Sequence, residues 1–354
     1  MTTNGHQFAA APAPWTDGCV DTPAGAVPRV RTTWSAADRL GAWKVRWNLG
    51  RMAYSVAPGL YAVGTPSPES PVFVTASYKL SFDHLRRALD GLDGWILVLD
   101  THGINVWCAA GKGTFGTGEL VARLAAVRLG EVVRHRRLIV PQLGAVGVAA
   151  HEVKQQSGFA VVYGPVRAAD IPAYLAADCQ AAAEMRRVRF GLADRLAVLP
   201  VELVLGFPAM AGVALVVAIA GGLRGGAGDM REILHCGMNA AALVLAAFLA
   251  AVVLVPALLP WLPGRAFSIK GTAVGLALVA AAWAAGWLPN GGSGWLLELL
   301  PWLLLLPAIA AFVALNFTGA STYTSLSGVR REMRLAIPPI LVAGAAGVLV
   351  WLFV

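Results

Sequence analysis

Beyond Val198 the chain alternates long apolar blocks with short polar or glycine-rich joins, the blocks running 198–220, 236–260, 268–288, 295–315 and 335–354. Each is about 20 residues long, the length an α-helix needs to cross a bilayer. Pro208, Gly275, Pro301 and Pro307 fall inside blocks, which membrane helices tolerate because neighbours re-satisfy the freed backbone groups. Trp261, Trp287, Trp295 and Trp351 fall near the ends, as an interfacial aromatic belt requires. Before these blocks the period changes. Short apolar runs PVFVTA, GWILVLD, RLIVPQ and FAVVYG alternate with the helical stretches FDHLRRALDG, GELVARLAAVRLG, AVGVAAHEVKQQ and AADIPAYLAADC. That alternation predicts a small parallel sheet with crossover helices. The expected architecture is an α/β Rossmann-like domain followed by an all-α membrane domain of five transmembrane helices.

The expected boundaries are an N-terminal arm at 1–70, the α/β domain at 71–185, a basic linker at 186–197 and the membrane domain at 198–354. The arm is punctuated by APAPW, DTPAGAVP and TPSPESP, and holds one amphipathic piece, ADRLGAWKVRWNLGRM. That piece reads either as a helix packed on the domain or as a membrane-surface helix. Basic residues decide orientation. Arg186, Arg187, Arg189 and Arg195 precede the first block, Arg265 and Lys270 lie between the second and third, and Arg330, Arg331 and Arg334 between the fourth and fifth. The positive-inside rule then predicts a multi-pass protein of the cytoplasmic (inner) membrane, with the N-terminal domain cytoplasmic and the C-terminus outside. The first thirty residues lack an apolar core, so no signal peptide is expected. Charged residues make up 14% of the chain, against about 25% in soluble domains. The +8 net charge is scattered, which suits an anionic leaflet and not a nucleic-acid groove.

In open α/β sheets, ligands bind beyond the carboxyl ends of the strands. Here those ends carry VTASYK, LDTHGINVWC, VPQLGAVG and VYGPVR, rich in glycine and small hydroxyl residues. Just past the second strand lies Cys108. The cysteines Cys19, Cys108, Cys179 and Cys236 form no CxxC pair, which excludes a zinc ribbon, a local iron–sulfur cluster and a disulfide framework. Asn105 is a good N-cap, so VWCAAGKG predicts a short helix that ends at Gly111 or Gly113, with Cys108 near its middle. Three readings compete. Cys108 is a small buried hydrophobe; or Gly111, Gly113 and Gly116 form a dinucleotide fingerprint preceded by INVWCA as a strand; or the thiolate ligates a metal whose other ligands come from a macrocycle. Walker A spacing is absent around Lys112.

The run Asn105, Val106, Trp107, Cys108, Ala109, Ala110, Gly111, Lys112 resembles the cap-helix signature of the mercury-methylating corrinoid protein family, HgcA. That family is related to the corrinoid domain of the corrinoid iron–sulfur protein. VTASYKLSFDHLR, GTFGTGELV, LIVPQLGAVGVAAHEVK and YGPVRAADIPAYL are similar to the family too. The resemblance implies that the α/β domain binds a corrinoid of the cobalamin type beneath a cap helix, with Cys108 as the lower axial ligand of cobalt and the catalytic residue. It also implies a methyltetrahydrofolate-type methyl donor, inorganic Hg(II) as acceptor, and a ferredoxin-like partner with two four-iron clusters, HgcB, supplying electrons because this chain binds no cluster. Beyond the motif, Thr75, Ser77, Thr101, Gln142 and Tyr163, all near strand ends, are the expected hydrogen-bonding partners of corrinoid amides. Lys112 is a candidate to stabilise the thiolate, and His102 and His151 are expected to be structural. The hydroxyl-rich stretch 316–333 reads either as helix capping at a membrane boundary or as a docking surface, and Cys236 as a weak mercury contact.

Overall fold

A computed structural model of the chain describes residues 13–224, 229–289, 291, 294–320 and 326–353. Two compact units emerge, one of residues up to Val45 with Leu49–Val188, the other of Arg46–Asn48 with Arg189–Val354.

The first unit is built on strands β1 (Thr16–Thr22), β2 (Gly25–Val30), β3 (Gly59–Val63), β4 (Val72–Ala76), β5 (Gly94–Leu99), β6 (Arg137–Val140) and β7 (Ala160–Tyr163). They form one sheet of order β1-β2-β3-β5-β4-β6-β7. The four runs read from the sequence as strands are β4 to β7, mutually parallel through the β4–β5, β4–β6 and β6–β7 pairs. β3 joins β5 antiparallel, and β2 and β1 extend that edge. The expectation of an arm over residues 1–70 is therefore corrected: three of its segments are sheet strands. Its proline-rich punctuation concealed them because proline suits the turns between strands and is accepted at irregular places in a sheet: Pro28 of β2 faces Cys19 beside a break in the β1 register, and β2 pairs with β3 only at Arg29 and Val30.

β4 and β5 are buried along their whole length, which is why they read as continuous apolar runs without alternation. Val72, Val74, Ala76, Leu97 and Leu99 line one face; Phe73, Ile96 and Val98 line the other. The first face is covered by α3 (Val106–Lys112), α4 (Thr117–Ala126), α5 (Leu129–Val132) and α6 (Ala150–Ser157), through Ala109, Leu120, Leu129 and Val153. The second is covered by α2 (Lys79–Ala88) and α7 (Ile171–Ala176), through Phe82, Leu85, Ile171 and Tyr174.

The early strands and α1 (Ala36–Arg46) are fastened to α2 by a buried charge cluster. Lys79 Nζ lies 2.9 Å from Asp38 Oδ1 and 2.7 Å from Asp83 Oδ2. Arg86 Nε donates to Asp83 Oδ1 at 2.7 Å, and its Nη2 pairs with Asp38 Oδ2 at 2.9 Å as an ion pair and not an aligned hydrogen bond. Arg86 Nη1 donates to the carbonyls of Arg31 and Thr33. Ser35 and Asp38 cap α1 reciprocally, the serine amide donating to the carboxylate and the Asp38 amide to Ser35 Oγ. Burial alone would raise the Asp38 carboxyl, but the hydrogen bonds from Lys79 and Ser35 outweigh it and hold it well below the usual carboxylate range.

The second unit holds α8 (Leu192–Leu196), α9 (Leu199–Arg224), α10 (Met230–Ala257), α11 (Phe267–Ala284), α12 (Trp295–Ala320) and α13 (Leu326–Phe353). The last five are each long and apolar enough to cross a membrane. They approach closely at small residues. A Cβ on Gly275 would strike the Pro307 backbone, one on Gly271 the Ala310 and Ala311 backbone, and one on Gly237 the carbonyl of Ala218, the small-residue packing that membrane helices use. Lys270, counted above as a loop cation, sits instead in the first turn of α11, buried, its Nζ donating to the carbonyls of Leu259 and Leu262 at 2.9 and 2.7 Å. Arg195 likewise donates to Pro256 and Ala257 O, both at 2.9 Å. Arg195 thus satisfies carbonyls that the end of α10 leaves open, and Lys270 those of the turn that follows it. Of the 316–333 stretch, residues 321–325 lie outside the described residues.

Removing one partner of a buried ion pair costs about 3–5 kcal/mol, so Arg86→Met should lower the unfolding free energy of the α/β unit by that amount, read by circular dichroism as an earlier denaturant or thermal midpoint. Because the folded Asp38 carboxyl is depressed, its contribution is complete above its ordinary value of roughly 3.9 and is lost as pH falls through the folded value. Asp38→Asn should therefore flatten the acid limb of the stability–pH curve while lowering stability at neutral pH.

Candidate functional site

Connections from β4 and β6 leave in opposite directions, β4 through α2 to β5 and β6 through α6 to β7, so the strand order reverses between them. Beyond the carboxyl ends of two such strands lies the crevice where open α/β sheets bind ligands. The segment after β5 lies there. It leaves the strand through Thr101, turns at His102 and Gly103, both with positive φ, and enters α3 at Asn105. The side-chain carbonyl of Asn105 accepts from the Cys108 amide at 3.0 Å, which is the expected N-cap. The helix stops at Gly113, left-handed at φ 83°.

The three readings of Cys108 separate on this geometry. Residues 106–112 are helical, so INVWCA is not a strand and the dinucleotide fingerprint loses its frame. Val106, Ala109 and Ala110 form the buried face of α3. Cys108, Gly111 and Lys112 form the exposed face, with Trp107 half-buried between. Cys108 is thus not a buried hydrophobe; its thiol is presented to solvent. One turn on, a side chain at Gly111 would meet nothing within 4 Å, so a bare patch of backbone adjoins the sulfur.

Glycines in LGAVG let α3 descend onto the sheet. A Cβ on Gly147 would strike Phe115 O and the Ala110 backbone, and one on Gly144 would lie 2.5 Å from the Phe115 ring. The cap helix and its C-terminal loop thus occupy the space that these strand-end glycines leave.

The hydroxyl residues expected at the site are placed as follows. Ser77 and Thr101 are brought together, buried, with Oγ atoms 3.1 Å apart. Ser77 Oγ accepts from the Thr101 and Gly103 amides at 3.1 and 3.2 Å, and Thr101 Oγ1 donates to Ile104 O at 2.6 Å. With its proton so used, Thr101 Oγ1 can only accept from Ser77, and both hydroxyls are engaged inside the protein. Thr75 is buried on the same side of the sheet as Phe73, away from α3. Tyr163 donates to Val148 O at 2.6 Å, and burial raises its phenol. Gln142 Oε1 accepts from Arg186 at 3.1 Å. His102 Nδ1 lies 3.4 Å from Asp100, and His151 Nε2 lies 4.0 Å from Glu152, both histidines exposed. Among the described residues no group of three or more His, Cys, Asp or Glu could hold a metal ion. Sequence reading missed Glu119, whose Oε1 accepts from the Asp100 amide at 2.8 Å and from Arg123. It fixes the end of β5 from α4, and only its place in the first turn of a helix hinted at a role.

Comparison with known proteins gives the domain its relatives. Residues 48–175 match the CdhD family, CO dehydrogenase/acetyl-CoA synthase delta subunit. The α/β domain is related to a corrinoid protein family. The acetyl-CoA decarbonylase/synthase complex subunit gamma of Archaeoglobus fulgidus is 32% identical over 127 residues, 35% of this chain and 27% of its own length. The subunit of the same name from Methanopyrus kandleri is 32% identical over 128 residues, with the same coverage of 35% and 27%. The corrinoid/iron-sulfur protein large subunit of Moorella thermoacetica is 29% identical over 121 residues, 34% of this chain and 27% of its own. The chain thus spans about a quarter of the length of these relatives. The matched stretch runs from just before β3 to α7 and includes the cap helix, but none of the five long apolar helices.

Losing an N-cap costs about 1 kcal/mol, so Asn105→Ala should speed amide hydrogen exchange within 106–112 roughly fivefold and leave α4 to α6 unchanged, read by mass spectrometry. Gly147→Val should displace the cap helix outright. Alkylation by iodoacetamide should reach Cys108 before the half-buried Cys179 in the native chain.

Proposed function

We propose that this chain is a corrinoid-dependent methyltransferase whose α/β domain holds the corrinoid against the exposed face of α3, with Cys108 as the lower ligand of cobalt. The observation that carries this reading is the outward thiol of Cys108 on a capped helix at the point where the strand order reverses. The residues present fit such a group. The thiol faces outward, Gly111 beside it leaves a side-chain-free surface for a flat macrocycle, and the adjoining LGAVG turn presents Val146 to solvent. A bound corrinoid supplies a cobalt centre able to accept a methyl group and to release it to an acceptor. Everything else falls to the protein. Cys108, as thiolate, would be a soft and strong donor to the cobalt of such a group, and that donation would favour release of a methyl group with its bonding electrons. Asn105 fixes the helix start and hence the direction of the sulfur. Val106, Ala109 and Ala110 hold its height above the sheet. Lys112, in the last turn, adds positive charge near the thiolate. Ser77 and Thr101 act on the site through the turn they brace, and not by direct bonds to the cofactor.

The acceptor we propose is inorganic Hg(II), a soft electrophile matched to a methyl group leaving with its electrons. This rests on the resemblance of residues 105–112 to the mercury-methylating family, and the arrangement of a corrinoid domain with five apolar helices agrees with it. A ferredoxin-like partner of the HgcB kind would supply reducing electrons, and a methyltetrahydrofolate-type donor the methyl group. The basic residues near the first, third and fifth long helices support the α/β domain lying on the cytoplasmic side. A second reading follows from the relatives, whose names are those of acetyl-CoA complex subunits: a membrane-anchored methyl carrier with a different acceptor.

Full-length protein purified without oxygen and reconstituted with a corrinoid should show a visible spectrum of thiolate-ligated cobalt that Cys108→Ala loses. Identical spectra for both chains would remove Cys108 from the cofactor. With its methyl group loaded, the native protein should yield methylmercury from Hg(II); a loaded protein inert to Hg(II) but active on another nucleophilic or metal acceptor would favour the second reading.

A further inference from the structure

We propose that the outward face of α1 and the turn after it seat the α/β unit on an anionic lipid surface, through Leu40, Trp43, Leu49 and Met52 rimmed by Arg39 and Lys44. Of the six large apolar side chains that the described residues of 13–188 leave exposed, these four fall within positions 40–52. Their exposures are 51, 54, 54 and 73%. Scattered exposed hydrophobes need no explanation, whereas a cluster rimmed by polar residues marks an interaction site.

Helical geometry separates the two faces of α1. Asp38, Ala42 and Val45 are buried at i, i+4 and i+7. Leu40, Trp43 and Lys44, at i, i+3 and i+4, lie on the opposite side. The face is held rigidly. Asp38 is locked to Lys79 and Arg86; Gly41 gives room for the Tyr54 side chain, whose hydroxyl a Cβ would meet at 2.6 Å and whose ring at 2.8 Å. Arg51 reaches back to the Val45 carbonyl at 3.4 Å and lies over the Tyr78 ring, 5.9 Å from its centroid, fixing the turn that carries Leu49 and Met52.

Charge selects the occupant. Positions 39–53 hold four cations, Arg39, Lys44, Arg46 and Arg51, and no carboxylate, while the acid just before them in sequence, Asp38, is turned inward and Asp100, on the neighbouring turn, lies beside His102. An apolar patch with tryptophan and a carboxylate-free basic rim complements an anionic bilayer: tryptophan prefers the headgroup level, and lysine and arginine extend their heads to lipid phosphates while their stems stay apolar. A bilayer is at hand, because α9 to α13 have the length and composition to cross one.

The test uses full-length protein in vesicles rich in phosphatidylglycerol, with Cys19, Cys108, Cys179 and Cys236 replaced by serine and a bimane label on Leu49→Cys or, independently, Met52→Cys. Circular dichroism verifies folding. Lipid carrying a nitroxide high on its acyl chain should quench either label several-fold more than one on Ser67→Cys, and aqueous iodide several-fold less. Adding Arg39→Glu with Lys44→Glu, or changing to phosphatidylcholine alone, should abolish the difference from residue 67. Quenching by iodide alone would place the patch in water, and protection from both quenchers would place it against protein; either result overturns the proposal. Lipid quenching indifferent to charge would overturn its anionic basis.

Discussion

Two buried hydroxyls join the carboxyl ends of β4 and β5, and the candidate site hangs from that joint. Ser77 Oγ gathers the amides of Thr101 and Gly103, while Thr101 Oγ1 holds the Ile104 carbonyl. The chain turns within four residues here, and the Thr101 and Gly103 amides and the Ile104 carbonyl would otherwise lose these partners, at a cost of about 1–3 kcal/mol for each one left buried. Because the joint is saturated internally, it sets where Asn105 begins the helix. The N-cap then sets the rotation of the helix, and rotation decides that Cys108 faces out while Ala109 and Ala110 face in.

The parallel core of the sheet was legible from the sequence because buried parallel strands are continuous apolar runs: PVFVTA and GWILVLD could hardly be anything else. The cap helix was legible too, from Asn105 at its start and Gly113 past its end. The strands of residues 16–63 were not. The edge strand β1 carries Asp17 and Asp21, which an exposed edge accepts, and β2 carries Pro28 beside a break in the β1 register; a propensity argument reads all three residues as loop. The buried charge cluster was invisible for a related reason. Asp38, Asp83, Lys79 and Arg86 look like ordinary helix-surface charges, and only the packing of α1 on α2 turns them inward. Among the candidate ligand contacts, the hydroxyls of Ser77, Thr101 and Tyr163 are bonded to their own protein, because a small polar residue at a strand end must first satisfy the backbone around it.

The apolar half of the chain follows different rules. Between α11 and α12 the closest approach is at Gly271, Gly275, Pro307 and Ala310, residues that add little hydrophobic area but permit backbones to touch. In lipid, burial of apolar surface gives no advantage to one helix pairing over another, so close van der Waals contact decides. The two buried cations near the end of α10 serve the same economy. Arg195 and Lys270 are each placed on backbone carbonyls at or just after that helix end.

The cap helix has seven residues, well short of the roughly 12–15 that an isolated helix needs to hold itself in water. Its order is borrowed from one amide capped by Asn105 and three small apolar side chains. A segment with so little intrinsic stability depends on its packing and its cap, and whatever binds its outer face must hold the ordered state to do so. By mass action such a ligand would add RT ln(1 + [L]/Kd) to the stability of the helix. Occupancy and local order would then be one equilibrium, so that this small element reports to the rest of the domain whether anything is bound above it.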